Sequence, residues 1–168
     1  MSAQLFLFNS PADQKTFIDV LSGNPLPQLM GLPGMVAITA PGPFTGKSAL
    51  ARFLISRICN VPSVYPTMVP TSETEMQKVL SNALHQSLPY IFFDDVSGLV
   101  ESPSLATFLS SPQMAYRPLG SDSSKVANVV TRIFIAGNDL SLSEDMVRRT
   151  RLISLATHQP ALAGKPAQ

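Results

Sequence analysis

One stretch restricts the fold more than any other. Residues 35–38 (Met-Val-Ala-Ile) are an unbroken apolar run, the pattern of a strand buried on both faces of a parallel sheet. The run enters a Gly/Pro turn, Pro41-Gly42-Pro43-Phe44-Thr45, and leaves through Gly46-Lys47-Ser48 into a helical pattern carrying Leu50, Phe53, Leu54 and Ile58 on one side. Strand, glycine turn and helix in that order gather backbone N–H groups and a helix N-terminus around an anion. The spacing is that of a phosphate-binding P-loop, G-x-x-x-x-G-K-S/T, with two departures. Pro41 replaces the first glycine and removes an N–H, and Phe44 fills a position that is often glycine. In such a loop Gly42, Pro43, Phe44, Thr45 and Gly46 line the cradle, Lys47 reaches the outer phosphates of ATP, and Ser48 ligates Mg²⁺. A lysine at a helix N-terminus opposes the dipole, so its presence asks for a reason.

A second buried strand is predicted at residues 90–93 (Tyr-Ile-Phe-Phe), ending in Asp94-Asp95, 47 residues beyond Lys47. Acids at the carboxyl end of a parallel strand are where P-loop ATPases handle Mg²⁺ and water. Asp94 is the metal-side candidate, and Asp95 the candidate base or water-orienting group. A glutamate would reach further than Asp95, which bears on the rate of hydrolysis. A third strand, expected over 128–136, ends in Gly137-Asn138-Asp139, and the Asn138 amide is a candidate for orienting an attacking water; an Asn after Gly also suits a plain turn. Arg148, Arg149 and Arg151 are the densest basic cluster in the chain. Near a helix C-terminus they complement the dipole; equally, Arg148 or Arg149 can neutralise phosphoryl charge as an arginine finger.

The remaining elements fit around these. Ser10-Pro11-Ala12-Asp13 opens a helix that Gly23 ends, and 24–34, rich in Pro and Gly, reads as a linker. A helix over 71–86 opens with Ser72-x-x-Glu75, a capping box. A short strand is expected at 63–65, a helix at 103–109, an extended segment at 113–119, a helix at 143–151 and a last strand at 152–155. Alternating strands and helices predict a three-layer α/β domain with a mainly parallel five-stranded sheet. The expected organisation is a helical leader and linker at 1–33 packed against or beside the core, the core at 34–155, and a flexible tail at 156–168.

Net charge is +1, so nucleic acid would be held by a local patch, for which Arg117 and Lys125 are candidates, or they are simply a solvated loop. Charged residues make up 14% of the chain, against about 25% in ordinary domains. The surface is therefore partly covered by other subunits or rich in uncharged polar groups. The lone Cys59 forms no internal disulfide and fits a reducing compartment, and no apolar run is long enough to cross a membrane. A cytoplasmic location follows, that of a bacterial host on the resemblance below. His85, His158 and Cys59 show no metal-ligand or nucleophile spacing.

Taken together, Phe93-Asp94-Asp95, Arg117-Pro118-Leu119-Gly120-Ser121, Ala136-Gly137-Asn138-Asp139 and Asp145…Arg148-Arg149 resemble the AAA+ ATPase core, and more narrowly phage and prophage replication ATPases associated with helicase or primase. The resemblance covers about residues 34–155. It implies Asn138 as sensor 1, Arg148 or Arg149 as the finger, ATP bound between subunits of a ring, often a hexamer, and work on DNA alongside other replication proteins. The helical lid of that family has no counterpart here. Two other readings stand beside it: a nucleotide-binding assembly or regulatory subunit with little hydrolysis, and a small-molecule P-loop kinase.

Overall fold

A computed structural model describes residues 6–157, apart from 25, 30, 31, 33 and 119. The elements are α1 (Pro11–Leu21), a single 3-10 turn (Pro27–Leu29), β1 (Met35–Ala40), α2 (Lys47–Ile58), α3 (Glu73–Gln86), β2 (Tyr90–Val100), α4 (Pro103–Ser110), β3 (Gln113–Tyr116), β4 (Lys125–Asn128), β5 (Arg132–Leu142), α5 (Glu144–Val147) and β6 (Thr150–Ser154). Four strands form a parallel sheet in the order β2-β5-β1-β6. Successive side chains on a strand point to opposite faces. Met35 and Ala37 therefore join Ile133, Ile135, Ile91 and Phe93 beneath α3 and α4. Val36 and Ile38 join Phe134, Phe92 and Ile153 beneath α1 and α2. Both faces are apolar, which is why these strands read as continuous runs.

Three helices, α1, α3 and α4, open on a serine whose hydroxyl accepts a first-turn N–H: Ser10, Ser72 and Ser102. Helix α2 opens instead on Gly46 with no side-chain cap, leaving its first N–H groups for another partner.

The structure corrects several expectations. Among the described residues the parallel sheet has four strands, where five were expected. The segment expected as a strand at 63–65 joins no ladder: Tyr65 N donates to the Tyr90 hydroxyl of β2 at 3.1 Å, and just beyond the segment Thr67 forms an isolated bridge to Phe93. Pro62, Pro66 and Pro70 surround that bridge and lack the N–H a ladder needs. The strand expected at 128–136 is two elements. Residues 125–128 pair antiparallel with β3 as a hairpin, and β5 begins only at Arg132 but continues to Leu142. β2 likewise runs on beyond Asp94-Asp95 to Val100. The last helix is one turn, because β6 already begins at Thr150. Of the linker's described residues, Leu26 and Leu29 are buried. The leader docks on the same chain: α1 packs on β6 and α2, Asp13 Oδ1 accepts from Ser154 N at 2.7 Å, and Phe8 bridges Leu155. The expected tail lies outside the described residues from 158 onward.

Candidate functional site

The parallel register sets β1, β5 and β2 side by side, so the residues level with the carboxyl end of β1 converge. Ala40, the last residue of β1, faces Asn138 of β5, and Asn138 faces Ser97 of β2. The loop 41–46 leaves β1 at this edge and delivers Lys47 and Ser48 to the first turn of α2.

Two strands turn a corner here together. The β2–β5 register slips between Phe93 and Val96, so Asp94 and Asp95 stand as a bulge opposite Ala136. Asp95 and Asp139 both adopt left-handed backbone, with φ of 59° and 47°. Between them the strands approach so closely that a Cβ on Gly137 would lie 1.8 Å from Val96 O. Gly137 is thus a strand residue required by the bulge, and Asn138 lies within β5 at the corner rather than in a turn. Beyond the corner, Leu140 N donates to Thr39 Oγ1 at 3.0 Å, tying β5 back to β1.

The side chains assemble accordingly. Ser48 Oγ donates to Asp94 Oδ1 at 2.7 Å, and Asp95 N donates to the same oxygen at 3.1 Å. Lys47 is buried, and its Nζ donates to Gly42 O at 2.7 Å and Thr45 Oγ1 at 3.0 Å. Burial pushes the Lys47 pKa below that of an ordinary lysine, while the negative charges of Asp139, Asp94 and Asp95 pull it back up. Asn138 Oδ1 is buried without a hydrogen-bond partner among the described residues, a costly arrangement unless something fills it. Gly42 and Thr45 line the loop's interior, Gly46 caps α2, Pro43 is exposed, and Phe44 is 98% exposed with φ of 59°.

Sequence reasoning missed two contributors. Asp139 is the acid that acts most strongly on Lys47, and its position directly after Asn138 was the available signal. Arg52 lies 3.8 Å from Asp94 Oδ2, donates to Val64 O at 2.5 Å and stands over the Phe92 ring at 5.7 Å. It follows Ser48 by four residues, hence on the same helix face.

The arginines lie elsewhere. Met35 N, at the start of β1, donates to Arg149 O at 2.8 Å, so Arg148 and Arg149 belong to the amino edge of the sheet. The five steps from Met35 to Ala40 span about 17 Å at the rise of a strand, beyond the reach of an arginine side chain. Neither can serve the P-loop of its own chain. The two also differ from each other. Arg149 donates to Ser110 Oγ and Asp145 O, both at 2.6 Å, and to the Asp145 carboxylate, and only 20% of its side chain is exposed. Arg148 touches Asp145 Oδ1 at 2.7 Å and is 68% exposed. The two guanidiniums, Arg149 first, hold the Asp145 carboxyl below the usual range.

Arg117 and Lys125 flank the turn of the β3–β4 hairpin, whose ladder ends at the Tyr116–Lys125 pair. They are not part of the carboxyl-edge site. No helix among the described residues is long and apolar enough to cross a membrane. Compared against protein-family models and against curated proteins, the sequence matches none.

Proposed function

We propose that this chain is the ATP-binding and hydrolysing subunit of an AAA+-type motor that works on DNA in phage or mobile-element replication, with ATP held between subunits. The observation that carries the reading is the convergence of four groups on one sheet edge. These are a lysine at the uncapped start of α2, a serine hydroxyl already paired with Asp94, the orphan amide oxygen of Asn138 and the exposed Asp95.

The residues present suit a bound Mg²⁺–nucleotide. Ser48 Oγ and Asp94 Oδ1 are hard oxygen donors of the kind Mg²⁺ takes, and the free N–H groups of α2 suit phosphate. Mg²⁺ would neutralise charge on the phosphate oxygens. Lys47 would exchange Gly42 O and Thr45 Oγ1 for phosphate, and Asn138 would hold a water that Asp95 polarises. Arg148 or Arg149 would complete the site of a neighbouring copy, in a ring for which a hexamer is the family's usual number. Arg117 and Lys125, at the hairpin turn, are the groups proposed to meet DNA phosphates.

A site completed in trans makes a sharp kinetic demand. Hydrolysis per chain should rise with protein concentration, and Lys47→Ala should abolish it. A rate per chain that is independent of concentration, or no Mg²⁺–ATP binding by calorimetry, would sink the reading. A nucleotide-binding regulatory subunit with little turnover is the second reading. It is favoured by the short, exposed Asp95 and by Lys47 being held on its own loop. Tight ATP binding without turnover at any concentration would select it.

A further inference from the structure

The exposure of Phe44 is the least economical feature of the molecule. A bulky aromatic in left-handed backbone costs conformational energy, and here it gains no burial in return, since the side chain is 98% exposed. Such strain at a binding edge is a reason to look for what the side chain meets.

The opposite edge of the sheet holds a matching shape. Gln28, Leu29, Ser110, Arg148 and Arg149 line a cavity of about 260 Å³. About 150 Å³ is enough to take a benzene ring. Its apolar lining is Leu29, and Arg149, fixed by Ser110 and Asp145, presents a guanidinium held in place. An immobilised guanidinium is a good partner for an aromatic face.

Charge favours the same pairing. Asp95 and Asp139 are exposed acids at the carboxyl edge that also carries Phe44; at the cavity Arg148 and Arg149 share one carboxylate, Asp145, which leaves an excess of one positive charge. Acidic edge and basic edge lie at opposite ends of the strands, so one copy can present its P-loop edge to the arginine edge of the next.

We infer that Phe44 of one copy inserts into the Gln28–Leu29–Ser110–Arg149 cavity of the next, as the anchor of a head-to-tail contact. The two faces differ, so the contact is heterologous and each copy retains one free face of each kind. The contact also deepens the proposed function: it sets the exposed Arg148 beside the neighbouring P-loop. That consequence rests on the nucleotide reading, whereas the contact itself can be read without nucleotide.

The test uses the whole chain, without ATP, in sedimentation equilibrium at low salt. Phe44→Gly removes the side chain at a φ that glycine adopts freely, and Gln28→Trp fills the cavity from an exposed position. Each variant alone should associate at least about tenfold more weakly than wild type, the loss expected for an interface anchor. An equimolar mixture should recover a tight one-to-one heterodimer, because one intact pair of faces remains. A monomeric wild type, undiminished association of Phe44→Gly, or a mixture no tighter than its components would each overturn the contact. Rescue in a chain that binds no ATP would keep the contact and remove the nucleotide reading; ATP binding without rescue would do the reverse.

Discussion

The two edges of one sheet are built on opposite terms. At the carboxyl edge the backbone is bent out of regular geometry and its side chains are underused. Among the described residues, Phe44, Asp95 and Asp139 are three of the five non-glycine residues with positive φ, and the other two, Asn60 and Ser87, merely follow helix ends. Asn138 Oδ1 there has no partner among the described residues. At the amino edge the left-handed position is a glycine, Gly34, so close to Arg149 that a Cβ would lie 2.6 Å from its carbonyl oxygen, and Arg149 is bonded on several sides. Strain in non-glycine residues concentrates where a ligand is expected, whereas each edge carries one buried side-chain oxygen without a partner among the described residues, Asn138 Oδ1 at the carboxyl edge and Thr131 Oγ1 just before β5 at the amino edge.

That contrast divides even adjacent arginines. Arg148→Ala should lower ATP hydrolysis by about 10³-fold, the low end for an arginine finger, without moving the melting temperature, because its side chain is mostly exposed. Arg149→Ala should lower stability by about 1 kcal/mol through the lost hydrogen bond to Ser110, with a smaller effect on turnover. Thermal melts and steady-state hydrolysis of both variants decide it. Equal losses of stability would erase the distinction between finger and brace.

The carboxyl edge can be broken by one methyl group. Gly137→Ala places Cβ 1.8 Å from Val96 O, a backbone atom that moves only if the corner at Asp95 and Asp139 unbends. The expected cost is about 3 kcal/mol or more, as for overpacking against rigid backbone. Urea denaturation of the variant measures it. A loss below about 1 kcal/mol would mean that the bulge is pliable, and that the acids are not held in place by it.

These two sites also show how far the sequence could be read. The convergence of the 41–48 loop, the two acids and Asn138 was legible because each follows an apolar run, and parallel register brings such positions together without further information. The four main strands and their alternation with helices were legible for the same reason. The corner was not, since a bulge adds no distinctive residue type: Asp94-Asp95 and Gly137 looked like strand ends. The hairpin was missed because 128–136 reads as one apolar, β-branched stretch, while the break at 129–131 goes with tertiary contacts such as Val129 N to Pro112 O. The edge assignment of the arginines needed the return of the chain from β5 to the start of β6, which no local pattern encodes.

The comparison sharpens at a fourth acid on the carboxyl side of the fold that, unlike Asp95 and Asp139, is fully used. Glu73, in the first turn of α3, accepts from Ser104 N at 2.7 Å and from Ser102 Oγ at 2.8 Å, so it joins α3 to the start of α4. The bonds from Ser104 and then Ser102 hold its carboxyl below the usual range. A carboxyl whose folded pKa lies below its unfolded value of 4.5 stabilises the fold fully above that value, and the contribution fades as pH falls through the folded pKa. Glu73→Gln should therefore cost about 1 kcal/mol at about pH 7, with a smaller gap to wild type at about pH 3. Denaturant titrations at both pH values read the difference directly. A gap that persists unchanged in acid would show that Glu73 acts by packing rather than by its charge, and would leave the carboxyl side of the fold with no acid committed to structure alone.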